Sequence, residues 1–347
     1  MSSESRNRYL LKNTLIFTLG NIGSRMISFF LIPLYTNVLT TSQYGTVDLI
    51  TTISTVAGPM LTLNIAESVM RFGLDKDADK EKNTQCGSIV LLIAMIIGLV
   101  LIPICRCITE VSDYAMYVYF YVISLSASQL FLCDLRGKEL LLKYSLGNIL
   151  QTLMIAILNI TFLLVFKMET GGYLLAYIIA NFIVAIYAII AGKGYKAFSF
   201  HNIDRCKLKE MIRYSVVLIP NTFMWWIMNS SDRVMVTYMI GAAANGIYAV
   251  SYKLPTLVST LTGIFNQAWS YSAIREEGTS DETEYNNKMF KTLSAIAFMM
   301  GIGLLLLTKP FLGVYVADSY YDAWKYTPFL IIGCVYLTLG TFMATSY

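Results

Sequence analysis

SSDRVMVTYMIGAAANGIYAVSYKLP (230–255) sets an aspartate, an arginine and a lysine within a long apolar run that is interrupted by the uncharged segment IGAAANG (240–246). FFLIPLYTNVLTTSQYGTVDLI (29–50) has the same layout, with LTTSQYG (39–45) between two apolar runs. An offset of 201 residues lays Leu39 on Ile240, Gly45 on Gly246, Lys12 on Arg213, and the polar loop 73–85 on 274–286. Low identity with a shared hydropathy rhythm at one offset is the pattern a duplication leaves. A unit of about 200 residues holds six spans, so both copies enter a membrane in the same orientation and the repeat is parallel, its pseudo-axis along the membrane normal. Gly45 and Gly246 are expected to open the two turns, where a Cβ would clash.

Outward from these stretches, apolar segments recur near 10–35, 46–70, 86–105, 114–133, 146–166, 172–191, 212–237, 246–272, 290–308 and 327–347. With 56% apolar and 14% charged residues among 347, the chain has more apolar surface than a soluble fold can keep from water. The expected class is all-α: a polytopic membrane protein of ten spans in two helical bundles. Residues 1–200 are expected to form a six-helix lobe and 201–347 a second lobe with four helices. A six-span second copy would need to run beyond residue 347, so the second lobe is expected to be incomplete. The first segment follows Arg6, Arg8 and Lys12 as a signal peptide would, but lacks a small-residue cleavage pattern and leads straight into another span. It is expected to be retained.

Cations set the orientation. Alternate polar segments (6–12, 71–82, 136–143, 193–213 and 275–291) hold 19 of the 26 Lys and Arg residues, against Arg106, Lys167, Lys309 and Lys325 on the other side. The positive-inside rule then places the N-terminus in the cytoplasm. Basic residues confined to loops on one side explain the net charge of +4 without nucleic acid, and no aromatic–basic interleaving suggests base stacking. Enzyme chemistry finds no support, and no catalytic residue or cofactor is expected. His201 is the only histidine and lies in a basic loop; the cysteines, CRC (105–107) included, lack CxxC spacing; and no phosphate-binding GxxxxGK[ST] loop is present. DKDADKEKN (75–83) lacks the glycine and terminal glutamate of a calcium loop, so no metal site is expected.

Ionisable groups at membrane depth are costly and mark function or pairing. Arg25, Arg233 and Lys253 are the three cations within apolar spans. Arg25 suits a substrate phosphate, or pairs with Asp48 or Glu67 to hold spans 1 and 2 together. Asp232 and Arg233 are adjacent and so lie about 100° apart around a helix. One arrangement turns Arg233 to a cavity while Asp232 reaches Lys253, and the other buries all three in a clamp. Pro255, beside Lys253, is a candidate bend for gating or an ordinary packing kink. Of the intramembrane amides, Asn221, Asn229, Asn266 and Gln267 share helices with these cations and are candidates for a sugar path. The rest, Asn64 and Asn148 among them, are expected to bond helix to helix.

Residues 230–255 and 29–50 together resemble the polysaccharide transport family, the Wzx-like flippases of the multidrug/oligosaccharidyl-lipid/polysaccharide exporter superfamily. The resemblance implies a flippase that moves an undecaprenyl-diphosphate-linked oligosaccharide from the cytoplasmic to the outer leaflet of the bacterial cytoplasmic membrane. Its products would be O-antigen, capsule or exopolysaccharide, its partners membrane lipids and polysaccharide assembly proteins, and its coupling ion or proton is left open. A lipid II flippase shares the cationic logic. A cation-coupled multidrug exporter of the same superfamily would favour an anionic cavity. A membrane glycosyltransferase or polysaccharide ligase would need a larger outside loop.

Overall fold

The computed structural model describes residues 27–75, 77–106, 111–198, 203–276 and 282–345; the side chains of 104, 198, 264, 266–276, 282–283 and 344–345 lie outside the description. Twelve α-helices run through the described residues, and no strand occurs among them. The helices are α1 (Ile32–Val38), α2 (Thr41–Leu61), α3 (Ile65–Gly73), α4 (Lys80–Arg106), α5 (Ala115–Gly137) and α6 (Leu141–Ile160). They continue as α7 (Glu169–Ala191), α8 (Arg205–Met239), α9 (Ala242–Ser251), α10 (Lys253–Glu276), α11 (Glu282–Tyr315) and α12 (Thr327–Thr345).

Five helical segments among the described residues are long and apolar enough to cross a membrane, and seven if each of two bent pairs counts as one span. The chain is therefore a multi-pass membrane protein, but the count differs from the expected ten. The first expected span begins outside the described residues. At 35 residues, α8 is long enough to cross, yet it fails on apolarity because Asn221, Asn229, Ser230, Ser231, Asp232 and Arg233 interrupt it. The expected span 46–70 is broken rather than continuous. α2 and α3 meet at 61°, where Leu63 and Asn64 take left-handed backbone angles just past Pro59.

Gly45 and Gly246 do not open turns. Each turn lies five residues earlier, at Thr40 and Gly241, which hold equivalent positions in the two copies as the N-caps of α2 and α9. Thr40 makes a reciprocal capping box with Gln43, its hydroxyl accepting from Gln43 N at 3.2 Å while Gln43 Oε1 accepts from Thr40 N at 2.9 Å. Gly241 instead uses a φ of 125°, open to glycine at little cost. Gly45 and Gly246 lie inside the helices and let them cross almost backbone to backbone. A Cβ on Gly45 would stand 1.8 Å from Ala242 O, and one on Gly246 would stand 2.0 Å from Thr41 O. Thr41 and Ala242 are themselves equivalent at the 201-residue offset, so the contact is reciprocal, as a two-fold axis passing between the glycines requires.

The apolar clusters follow from this crossing. Around it, Tyr35, Leu39, Tyr44 and Val47 from the first copy pack with Ala249, Val250, Leu254 and Tyr320 from the second. Backbone contacts reinforce the join, with Tyr315 Oη donating to Phe29 O at 2.5 Å and Tyr320 Oη to Leu39 O at 3.0 Å. This is the cation-poor end of the molecule. Toward the basic loops the core divides: one cluster gathers Ile65, Val69, Leu130, Leu135, Val184 and Met211, and a separate one gathers Val258, Ala297 and Val335. The two copies thus share a core at one end; at the other, the first copy's core also takes in Met211 from the start of α8, while Val258, Ala297 and Val335 form a separate cluster.

Candidate functional site

Two polar features lie along the seam where α2, α3 and α8 meet. The first joins the two copies beside the glycine crossing. Arg233, on α8, donates from Nη1 to Asp48 Oδ1 on α2 at 3.0 Å and to Thr52 Oγ1 at 3.4 Å. Asn245, on α9 and fully buried, donates from Nδ2 to Gly45 O at 2.9 Å and to Asp48 Oδ2 at 3.5 Å. The guanidinium also sits over the Tyr252 ring, 5.3 Å from its centre, while Trp226 Nε1 donates to Thr52 O at 2.9 Å. One carboxylate thus receives donors from two helices of the second copy.

The second feature is a cavity of about 760 Å³ on the basic side of the α2–α3 break. Asn64, Gln129, Asn148, Gln151 and Asn221 bring carboxamides to it from α3's N-terminus, α5, α6 and α8. The break itself exposes this wall, because ending α2 at Leu61 and restarting at Ile65 turns Asn64 and Glu67 toward α8. Asn64 Nδ2 reaches Thr222 Oγ1 at 3.3 Å, and Ser68 Oγ donates to Met211 O at 2.7 Å. The first turns of α8 therefore pack on the first copy's helices. Tyr144 and Tyr214 add aromatic surface and Cys133 a thiol. Glu67 is the only charged side chain in the lining, and among the described residues it forms no salt bridge.

The structure distributes the sequence-derived candidates unequally. Asn221 lines the cavity, as does Glu67. Asn229 Nδ2 bonds within its own helix, to Trp225 O at 2.7 Å. Arg233 is committed to Asp48, and Asp232 accepts from the Tyr248 hydroxyl and forms no ion pair with Lys253. The clamp accordingly runs between the copies, because the crossing brings α2 against α8 and α9. Lys253 is half-buried at the α9–α10 junction, without an ion pair among the described residues. Pro255 sits in the first turn of α10, where no helical N–H is needed, just after the one-residue interruption at Tyr252 between α9 and α10. Arg25 lies outside the described residues, as do the side chains of Asn266 and Gln267. Asn245, Tyr248 and Gln129 carried no signal beyond being polar in an apolar context.

Fold comparison places this geometry in a known class. Among similar solved structures is an outward-facing multidrug resistance MATE family transporter of the MOP superfamily, with a TM-score of 0.61 at 14% identity over 97% of this chain and 81% of that one. A point mutant of the Vibrio cholerae MATE transporter VcmN matches with a TM-score of 0.59 at 14% identity, over 99% and 85%. DinF-BH, solved in complex with R6G, gives 0.58 at 14%, over 98% and 85%. The fold is thus that of the helical MATE transporters. The chain itself belongs to the polysaccharide biosynthesis protein family, whose model matches residues 10–271. No curated protein matches it significantly.

Proposed function

We propose that the protein is a flippase that carries the saccharide headgroup of an undecaprenyl-diphosphate-linked oligosaccharide from the cytoplasmic to the outer leaflet, for cell-surface polysaccharide. The observation that carries this reading is the amide-lined cavity in a chain of the polysaccharide biosynthesis family. Carboxamides present a donor and an acceptor each, the complement of sugar hydroxyls, and the volume falls in the usual range for ligand sites, roughly 300–1,000 Å³. The lipid tail stays in the bilayer and escapes a cost of about 0.8 kcal/mol per CH₂. Lys253 and Arg25 are the cations assigned to the diphosphate, and Arg233 serves the closure of the cation-poor end.

With the copies tied at that end and the cavity on the basic side, the conformation suits loading from the cytoplasm under the positive-inside orientation. Transport would rock the two bundles about the crossing of α2 and α9. The experiment is a leaflet-resolved assay in proteoliposomes that contain a polyprenyl-diphosphate oligosaccharide with a labelled sugar. Protein-dependent movement of label out of the leaflet on the protein's basic-loop side into the opposite leaflet is expected. No transfer of the glycolipid, alongside uptake of a lipophilic cation, would overturn the reading. Export of cations is the second reading, and Glu67 as the lone charge in the cavity is what favours it.

A further inference from the structure

The charge of the cavity also bears on which sugars it admits, an inference that rests on the flippase reading. All the neutral polar groups of the lining accept as well as donate, whereas Glu67 is a fixed acceptor with no cation in the lining to offset it. Arg136 is near but differently engaged, its guanidinium 5.5 Å from the centre of the Tyr144 ring, and it is not among the lining residues. A carboxylated sugar placed there would meet Glu67 across a space walled by helices, where like charges are poorly screened. Hydroxyls, N-acetyl groups or an ammonium would each find a partner. We propose that the cavity selects the saccharide by charge: it takes neutral, N-acetylated or amine-bearing sugars and rejects uronic acids and other acidic sugars, with Glu67 as the discriminating residue.

Rejection by one poorly screened like charge is worth about tenfold in affinity. The test uses the full chain in detergent and two polyprenyl-diphosphate oligosaccharides identical except that one terminal hexose is replaced by its uronic acid. Wild-type protein should bind the neutral form about tenfold more tightly, and Glu67→Gln, which keeps shape and hydrogen bonding, should bring the two affinities within about twofold. Glu67→Ala controls for the shape of the site and should also lose the discrimination. Equal binding of both glycolipids by wild-type protein would overturn the proposal while leaving the flippase reading intact. So would a preference unchanged in folded Glu67→Gln. Failure of both glycolipids to bind, with a lipophilic cation bound instead, would refute the flippase reading along with it.

Discussion

Asp48→Asn tests the tie between the copies with little change in shape. The substitution keeps the volume at Asp48 but removes the charge that faces Arg233, whose Nη1 lies 3.0 Å from Oδ1, and turns one of its two acceptor oxygens into a donor. The two side chains are 19% and 7% exposed, so water screens little of the interaction. At an effective dielectric near 20, unit charges about 4 Å apart attract by about 4 kcal/mol. Desolvation offsets much of this in the intact pair, but removal of one partner strands the other, at about 3–5 kcal/mol. Asp232 adjoins Arg233 and limits the loss, although the Tyr248 hydroxyl already occupies it. The lower end, about 3 kcal/mol, is therefore expected. A double-mutant cycle of Asp48→Asn and Arg233→Gln, read by reversible unfolding in mixed micelles, should give a coupling of about 2–3 kcal/mol. A coupling below about 0.5 kcal/mol would show that the pair does not hold the copies together.

Further expectations concern the crossing and the substrate path. Gly45→Ala and Gly246→Ala each force the two helices apart and should each lower stability by at least about 2 kcal/mol in the same unfolding assay, with little added by combining them. Asn245→Leu leaves Gly45 O and Asp48 short of a donor and should cost about 1–3 kcal/mol. In the leaflet-resolved assay, Asn221→Ala should slow transfer severalfold. Asn229→Ala, whose amide serves only its own helix, should leave transfer unchanged. Arg25→Ala should abolish transfer at normal membrane level, and Arg25→Lys should retain part of it; full activity of Arg25→Ala would remove the phosphate role.

Hydropathy and charge made the class of fold legible, and the 201-residue offset located the contact about which the halves are related. What sequence could not supply was the purpose of Gly45 and Gly246. A glycine six residues after a span end suits a turn as well as it suits a close helix crossing, and only the partner's position separates the two. The break at Leu63–Asn64 was hidden for a similar reason: left-handed backbone angles leave no mark in a run of apolar and small polar residues, and Pro59 alone does not end a membrane helix. The site divided along the same line. Charged residues at membrane depth stood out, but Arg233 could be matched to Asp48 only once α2 was seen against α8, 185 positions away in sequence. Asn64 does bond helix to helix, to Thr222, as expected, but nothing in the sequence placed it and Asn148 with Gln129 and Gln151 in one cavity.

Cys133 offers the most direct measurement, because it is a native thiol in the cavity lining. In a chain that keeps Cys133 as its only cysteine and remains active, a bulky thiol reagent applied from the basic side should stop transfer of the polyprenyl-diphosphate oligosaccharide, and prior addition of that glycolipid should slow the labelling of Cys133. Complete labelling with transfer undiminished would contradict the claim that the saccharide passes through this cavity.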